Sequence, residues 1–338
     1  MNFYPLVVSD IIDETPSTRS FVLHVEGKYK GVFEYQAGQF LSLRLPWQES
    51  YLDRCYSLSS IPREAQLKIT VKRVIDGRAS NYLNERIRTG DIIDVAPPSG
   101  RFVLKDATRP LCLFAAGSGI TPVISIVKEA LQNSERRVNL LYANSNRQQI
   151  IFADELTQLE QQYPERLICQ HHISSESGRV NETTITEFID ALSEQDFYIC
   201  GPAPFMDLVE SVLEKFGIDD HQIMMERFIS DGQSSTDDGD EVSSDINSFT
   251  ALLDNDKHTV PYLAGKTLLE SMLAHDLKPS YFCQKARCGM CVATKTSGEV
   301  VMRNSEILSA NEKTKGQILL CQSVPLSQDV VVDCDSQS

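Results

Sequence analysis

The chain has 338 residues, of which 41% are hydrophobic and 23% charged, so it is long enough for two or three domains with ordinary cores. Its formal net charge of −15 and its lack of a basic block argue against nucleic-acid binding. No apolar run approaches the roughly 18 residues of a membrane-spanning helix, and the first residues lack the basic segment of a signal peptide, so we expect no membrane insertion.

Residues 1–105 are predicted to form an antiparallel β-barrel or sandwich. Short alternating segments, such as 21–25, 39–45 and 67–74, are separated by Gly and Pro, as is typical of antiparallel sheets. A single helix is predicted in this region, near 81–87.

From residue 110 onward, apolar strands alternate with helical stretches. Strands are predicted at 111–116, 138–142 and 196–200, and a helix at 122–131. This alternation indicates a parallel α/β sheet, which we assign to a domain of residues 106–228.

Residues 229–247 are predicted to be a flexible acidic linker, because positions 229–248 hold six acids, no base and no aromatic residue. A third domain, 248–338, is predicted to contain a hairpin around 254–257, an amphipathic helix at 267–275 and a last strand at 330–333.

Four cysteines in the third domain have the spacing of a plant-type two-iron, two-sulfur site. Three follow a C-x4-C-x2-C pattern and the fourth lies in a later segment, and the proposed ligands are Cys283, Cys288, Cys291 and Cys321. Zinc sites favour two C-x2-C pairs, so structural zinc is the weaker alternative. The odd total of nine cysteines predicts reduced thiols and a cytoplasmic protein.

Two segments of the first domain suggest a planar, phosphorylated ligand. The sequence Arg54-Cys-Tyr-Ser57 combines a cation, an aromatic ring and a hydroxyl, although this pattern alone is weak. In the segment 77–83, Ser80 is predicted to cap a helix whose free N–H groups face a phosphate.

Two segments of the second domain suggest a nucleotide. Gly117-Ser-Gly-Ile-Thr-Pro122 follows a buried strand and opens a helix, where the backbone can approach a pyrophosphate. The full G-x-G-x-x-G pattern is absent, so a tight structural turn is the alternative. Cys200-Gly-Pro202 ends another strand, at the carboxyl edge where α/β sheets bind ligands.

The choice between NADPH and NADH depends on charge near the second ribose, because an acid there would repel a 2′-phosphate. The segment after the second strand offers Asn144, Asn146 and Arg147, with no acid before Asp154. This favours NADPH, whereas NADH remains open if Arg147 is only a solvated surface residue.

Taken in order, these motifs resemble the ferredoxin–NADP reductase superfamily extended by a C-terminal plant-type ferredoxin domain, as in the reductases that serve oxygenases. The motifs that carry the resemblance are Gly38-Gln39, Arg54-Cys-Tyr-Ser57, Ser80-Asn-Tyr-Leu83, Gly117-Ser-Gly-Ile-Thr-Pro122, Cys200-Gly-Pro202 and the four cysteines. The resemblance implies a multidomain fold: an antiparallel β-barrel for the flavin, an α/β parallel-sheet nucleotide domain and a C-terminal β-grasp ferredoxin domain.

The resemblance also implies the cofactors: FAD, a [2Fe-2S] cluster, and NADPH or NADH as electron donor, with FMN replacing FAD in one branch. It implies that Arg54 binds the flavin phosphate, that Tyr56 lies against the flavin ring, and that Ser57 and Cys200 are catalytic. The implied cofactor-binding residues are Arg54, Tyr56, Ser57, Val71, Lys72, Ala79, Ser80, Asn81, Gly117, Ser118, Gly119, Ile120, Thr121, Pro122, Asn144, Arg147, Cys200, Gly201 and Pro202.

The function implied is electron transfer from NAD(P)H through FAD and the cluster to a terminal oxygenase, a desaturase or another one-electron acceptor protein. The alternatives are an NADH oxidoreductase for hybrid-cluster protein and a non-catalytic redox-sensing carrier. We expect the chain by itself to be monomeric.

Overall fold

The structure is a computed structural model that describes residues 2–64, 66–105, 108–189, 194–228 and 246–335. The chain divides into two compact units, Met1–Phe228 and Ile229–Ser338. Most of the predicted linker, residues 229–245, lies outside the described residues. None of the helices formed by the described residues combines the length and the apolar character needed to cross a bilayer.

The first part of unit 1 is an antiparallel sheet of six strands, as the alternating pattern predicted. Leu41, Leu43 and Leu45 alternate along one strand and are at most 1% exposed, so they form part of the sheet's core. A bridge between Leu58 and Ile69 brings the two end strands together and curls the sheet toward a barrel. The elements are β1 (Tyr4–Thr15), β2 (Thr18–His24), β3 (Phe40–Trp47), β4 (Ser50–Ser57), β5 (Leu67–Lys72), α1 (Arg78–Arg86) and β6 (Ile92–Val95), in the sheet order β4-β3-β6-β1-β2-β5.

The second part of unit 1 is a parallel sheet of five strands with helices between them, which confirms the predicted α/β architecture. Its strands Leu167–Ile173 and Ile223–Arg227 were not predicted from the sequence. The elements are β7 (Leu111–Ala116), α2 (Ile120–Asn133), β8 (Val138–Asn144), α3 (Ala153–Gln162), β9 (Leu167–Ile173), α4 (Ser174–Ser177), α5 (Glu182–Phe188), β10 (Asp196–Gly201), α6 (Ala203–Lys215) and β11 (Ile223–Arg227), in the sheet order β11-β10-β7-β8-β9.

Polar side chains join the two parts of unit 1. The Lys128 ammonium on α2 is 3% exposed and lies 2.8 Å from Glu64 Oε1 and 2.9 Å from Glu155 Oε1. The Ser125 hydroxyl donates to the Ser60 carbonyl at 2.7 Å. A buried cation needs its carboxylate partners, so this cluster restricts how the barrel can sit against α2.

Unit 2 contains the predicted hairpin, helix and last strand. The hairpin turn has positive φ at Asp254 (56°) and Asn255 (64°), the conformation of a type I′ turn. Thr267 and Glu270 form a capping box at the start of the predicted helix. The elements are β12 (Ser248–Leu253), β13 (Asp256–Pro261), α7 (Leu268–Ala274), β14 (Val292–Ser297), β15 (Val300–Met302), α8 (Ala310–Thr314), β16 (Gln317–Leu319), β17 (Ser323–Pro325) and β18 (Val331–Asp333), in a sheet of order β13-β12-β18-β14-β16 and a separate pair β15-β17.

Candidate functional site

The two residues predicted to be catalytic lie on different sheets, and the fold connects them through a third residue, Glu226. The Ser57 hydroxyl, at the end of β4, donates to Glu226 Oε2 at 2.9 Å. Cys200 on β10 pairs in register with Glu226 on β11. Sequence analysis missed Glu226, although an acid in the otherwise apolar run Ile223-Met-Met was a signal that could have singled it out.

Burial controls the ionisation of both Glu226 and Cys200. It raises the pKa of the half-buried Glu226 to about 8, and the hydrogen bond from Ser57 offsets part of the rise. Burial, with the nearby Glu226 carboxylate, also raises the pKa of the Cys200 thiol well above its ordinary value. Cys200 is therefore a neutral thiol at neutral pH, which suits a residue that orients a ligand rather than attacks one.

The glycine turn between β7 and α2 lies directly against the end of β10. A Cβ at Gly119 would stand 2.1 Å from the carbonyl oxygen of Cys200, so only glycine fits there. Gly117 has a φ of +54°, and its carbonyl accepts a hydrogen bond from the Tyr142 hydroxyl at 3.0 Å. The Thr121 hydroxyl donates to the carbonyl of Ser118 at 3.0 Å. The turn thus places half-buried backbone at a helix start, where a phosphate can approach it closely.

Other predicted nucleotide residues lie around the same turn. The first turn of α2 is buried and contains Ile120, Thr121 and Pro122. Gly201 and Pro202 lead from β10 into α6, and a Cβ at Gly201 would stand 3.0 Å from the Ala116 Cβ. The carboxyl ends of β7 and β10 are therefore packed closely together, and a side chain at Gly201 would require Ala116 and Phe205 to shift.

Replacing Gly119 with alanine is expected to raise the KM for NAD(P)H about tenfold or more, because the new methyl group must displace the turn from the Cys200 carbonyl. Steady-state NAD(P)H oxidation with ferricyanide as acceptor measures this effect. Gly31→Ala is the matched control, because a Cβ there meets nothing within 4 Å and Gly31 has no positive φ. An unchanged KM in Gly119→Ala would show that the turn does not hold the nucleotide.

Lys72, at the end of β5, places a cation beside the glycine turn between β7 and α2. Its Nζ lies 3.8 Å from the position of a Cβ at Gly117, and its side chain is half-buried. Burial lowers the pKa of Lys72, and no carboxylate of the described residues pairs with it. An unpaired, partly desolvated ammonium next to the half-buried backbone of a helix start suits an anionic ligand.

Five of the predicted flavin residues lie on β4 and β5, and three lie on α1. Arg54 and Tyr56 are half-buried, Arg54 Nη1 donates to the Asp53 carbonyl at 2.8 Å, and Tyr56 packs against the barrel core. The Val71 carbonyl accepts from the Asn84 side-chain amide at 3.1 Å. Arg54, Tyr56 and Ser57 therefore lie within four residues of one strand, as the motif predicted.

The prediction that Ser80 caps α1 is wrong. The helix begins at Arg78 with Gly77 as its N-cap, and Ser80 is its third residue, 7% exposed, next to the buried Ala79. The Ser80 hydroxyl instead accepts the N–H of Val74 at 3.2 Å, and a Cβ at residue 77 would stand 2.5 Å from that hydroxyl. Because Gly77 has no capping side chain, the first-turn N–H groups remain open to an anion.

Asn81, which is also predicted to bind the flavin, is held by Arg73, the residue that follows β5. The Asn81 side-chain oxygen accepts from Arg73 Nε at 3.3 Å, on the exposed side of α1. Its role as a flavin contact remains a prediction.

Unpaired polar atoms mark the carboxyl end of β8. Both side-chain amide atoms of Asn144 and the side-chain oxygen of Asn146 are buried without a hydrogen-bond partner among the described residues. The Tyr142 hydroxyl lies near the Asn144 amide, but it donates to the Gly117 carbonyl. Buried polar atoms without partners are costly, so this edge fits the hydroxyl groups of a bound ribose. Arg147, by contrast, already has an acidic partner, Glu176.

The cysteine loop of unit 2 has the backbone shape that a cluster requires. Gln284, Ala286 and Gly289 have φ values of 53°, 54° and 65°, which turn backbone N–H groups inward. The N–H groups of Lys285 and Arg287 donate to the Cys283 sulfur at 3.4 and 3.2 Å.

The four sulfurs form two pairs, Cys283 with Cys288 and Cys291 with Cys321. The Cys288 thiol and backbone N–H groups donate to Cys283 and lower its pKa. Two pairs of thiols fit a group with two iron atoms, each taking one pair.

Comparison with protein families finds three matches in the predicted order. The oxidoreductase FAD-binding domain matches residues 5–104, the oxidoreductase NAD-binding domain matches residues 113–211, and the 2Fe-2S iron-sulfur cluster binding domain matches residues 252–326. The third match spans all four cysteines of the cysteine loop and its later partner. The cofactors are therefore FAD, a [2Fe-2S] cluster, and NADH or NADPH as electron donor.

Whole-chain relatives share this organisation. The chain is 36% identical to the ferredoxin reductase component of 3-ketosteroid-9-alpha-monooxygenase from Rhodococcus rhodochrous, over 97% of this chain and 96% of the relative. It is 30% identical to one of the subunits of 1,2-phenylacetyl-CoA epoxidase from Escherichia coli (strain K12), over 99% of this chain and 98% of the relative. Phthalate dioxygenase reductase has the same fold, with a TM-score of 0.60 at 24% identity over 98% of both chains.

The resemblance predicted from the motifs is thus confirmed. This chain is an enzyme that belongs to the family of NAD(P)H-dependent oxygenase reductases, in which an FAD-binding domain, an NAD-binding domain and a [2Fe-2S] domain follow one another in a single polypeptide.

Proposed function

We propose that this chain, with FAD bound beside the Ser57–Cys200–Glu226 group, accepts hydride from NADH or NADPH. It would deliver the electrons singly to a terminal oxygenase through a [2Fe-2S] cluster held by Cys283, Cys288, Cys291 and Cys321. The observation that carries the proposal is the Ser57–Glu226 hydrogen bond of 2.9 Å, which joins the flavin barrel to the nucleotide sheet. When bound, FAD takes up a pair of electrons as hydride and releases them one at a time, as a one-electron cluster requires.

The chain's own residues would bind and orient the two substrates of hydride transfer. Arg54 and the open start of α1 would hold the flavin phosphates, and Tyr56 would lie against the ring. The glycine turn and the Lys72 ammonium would hold the nicotinamide nucleotide's pyrophosphate. Cys200, pressed against Gly119, would limit where the nicotinamide ring can lie.

The domain boundaries that go with this proposal are 1–105, 106–228, 229–247 and 248–338. We further propose that the chain acts in the cytoplasm, because its nine cysteines form no disulfide among the described residues, and that the chain by itself is monomeric.

The purified chain is expected to show both flavin and iron–sulfur absorption and to reduce cytochrome c with NADH or NADPH. Visible spectroscopy, identification of the released flavin and an iron assay test this directly. A colourless protein that binds zinc, or one whose flavin is not reduced by either nucleotide, would refute the proposed function.

A further inference from the structure

Two exposed charges face each other where the adenosine end of the nucleotide would lie. The Arg147 guanidinium, just after β8, makes two hydrogen bonds of 2.9 Å to the two carboxylate oxygens of Glu176 on α4. The Ser175 N–H donates to the Ser145 carbonyl at 3.0 Å, so the loops that carry the pair are also joined through their backbones.

The pair lies at the edge of the sheet that the nucleotide needs. β8 is the neighbour of β7, whose end carries the glycine turn, and Asn144 closes β8 with an amide that has no partner among the described residues. In parallel sheets the ribose next to the pyrophosphate binds at the end of this second strand. A 2′-phosphate on that ribose would therefore meet Arg147 and Glu176 together.

The bidentate geometry decides how the arginine can act. A guanidinium binds a phosphate best through two parallel N–H groups, and here Glu176 already uses Nε and Nη2. The donors that remain are on Nη1 and Nη2, so an incoming 2′-phosphate must bind beside the Glu176 carboxylate and tolerate its negative charge. The same ribose of NADH carries only hydroxyl groups, so NADH does not meet this repulsion.

We propose that Glu176 is the specificity-determining residue of this nucleotide site and that, by occupying Arg147, it makes the chain prefer NADH to NADPH. The inference rests on the proposed function and deepens it. The sequence favoured NADPH because no acid precedes Asp154 on the segment after β8. The fold supplies that acid from the segment after the next strand, β9.

The effect is a preference rather than an absolute selection. The side chains of Arg147 and Glu176 are 67% and 47% exposed, and exposed ion pairs are weak enough to open. Removing the carboxylate should therefore shift the balance between two nucleotides that both bind.

The test is Glu176→Gln in the full-length holoenzyme. The ratio of kcat/KM for NADPH to that for NADH is expected to rise about tenfold. The substitution removes the negative charge of Glu176 and replaces one of the two oxygens that accept hydrogen bonds from Arg147. Calorimetry with 2′,5′-ADP and 5′-AMP gives a second readout without turnover, since these probes differ only in the 2′-phosphate. The ratio of their affinities should change in favour of 2′,5′-ADP by a similar factor.

Glu182→Gln is the matched control. Glu182 forms an equally exposed bidentate pair with Lys215, at 2.7 and 2.8 Å, in the same domain. Its loss removes the same charge, so an equal change of both ratios in this control would overturn the inference. Adding Arg147→Gln to Glu176→Gln should cancel the gain for NADPH, and a retained gain would also overturn it.

An unchanged ratio in Glu176→Gln would refute the role of Glu176 while leaving the proposed function intact. Failure of the wild-type flavin to be reduced by either nucleotide would instead refute the proposed function. The two failures are therefore distinct.

Discussion

Replacing Cys283 with serine is expected to reduce electron delivery to a protein acceptor to background, while NAD(P)H-driven ferricyanide reduction persists. Cys283 is the sulfur on which the N–H groups of Lys285 and Arg287 converge, and it pairs with Cys288. Without this thiolate one iron loses a ligand, and the one-electron outlet is lost. Ferricyanide can take electrons directly from the flavin, so the first unit remains active.

Because the chain divides into two units, ferricyanide reduction by the first unit can be measured even if the second unit unfolds without its iron–sulfur cluster. Residues 1–228 form their own compact unit. Their hydrophobic cores are separate from the hydrophobic core of the second unit, which contains Cys291 and Cys321. Cys334→Ser is the control, because Cys334 is a half-buried thiol of the same unit outside the ligand spacing. Parallel loss of both activities in Cys283→Ser would contradict the proposed order of electron transfer.

The sequence was sufficient where the residues that determine a strand, turn or helix start lie within one short segment. Buried strands such as Leu111–Ala116 are continuous apolar runs, and the turn at Asp254 and Asn255 selects a hairpin locally. The capping box at Thr267 likewise fixes the start of a helix within four residues. These elements were predicted close to their observed bounds.

The sequence was insufficient where a feature of the site depends on contacts between residues that are far apart in the chain. Glu226 matters because β11 pairs with β10 and faces Ser57, which is 169 positions away. Glu176 meets Arg147 only because β8 and β9 are neighbours. Local reasoning also misplaced the cap of α1, because the Ser80 hydroxyl is used by the backbone of Val74.

Replacing Glu226 with alanine is expected to slow flavin reduction by NAD(P)H about a hundredfold, because Ser57 loses the acceptor that orients its hydroxyl. Stopped-flow absorbance under anaerobic conditions measures this step apart from the cluster and its acceptor. Glu214→Ala, which removes an exposed carboxylate from α6, is the control and should leave the rate unchanged. An unchanged rate in Glu226→Ala would show that the Ser57–Glu226 contact is structural only.

The pH dependence gives Glu226 a second, independent signature. Burial raises its folded-state pKa to about 8 from an ordinary value of 4.5, so between these values the folded chain holds a proton that the unfolded chain has released. The stability linked to this group is therefore fully present below pH 4.5 and is lost as the pH rises to 8. Glu226→Gln cannot ionise, so its Tm measured across this range should decline less steeply than that of the wild type. Parallel Tm profiles for the two proteins would show that the carboxyl group is not held protonated by the fold.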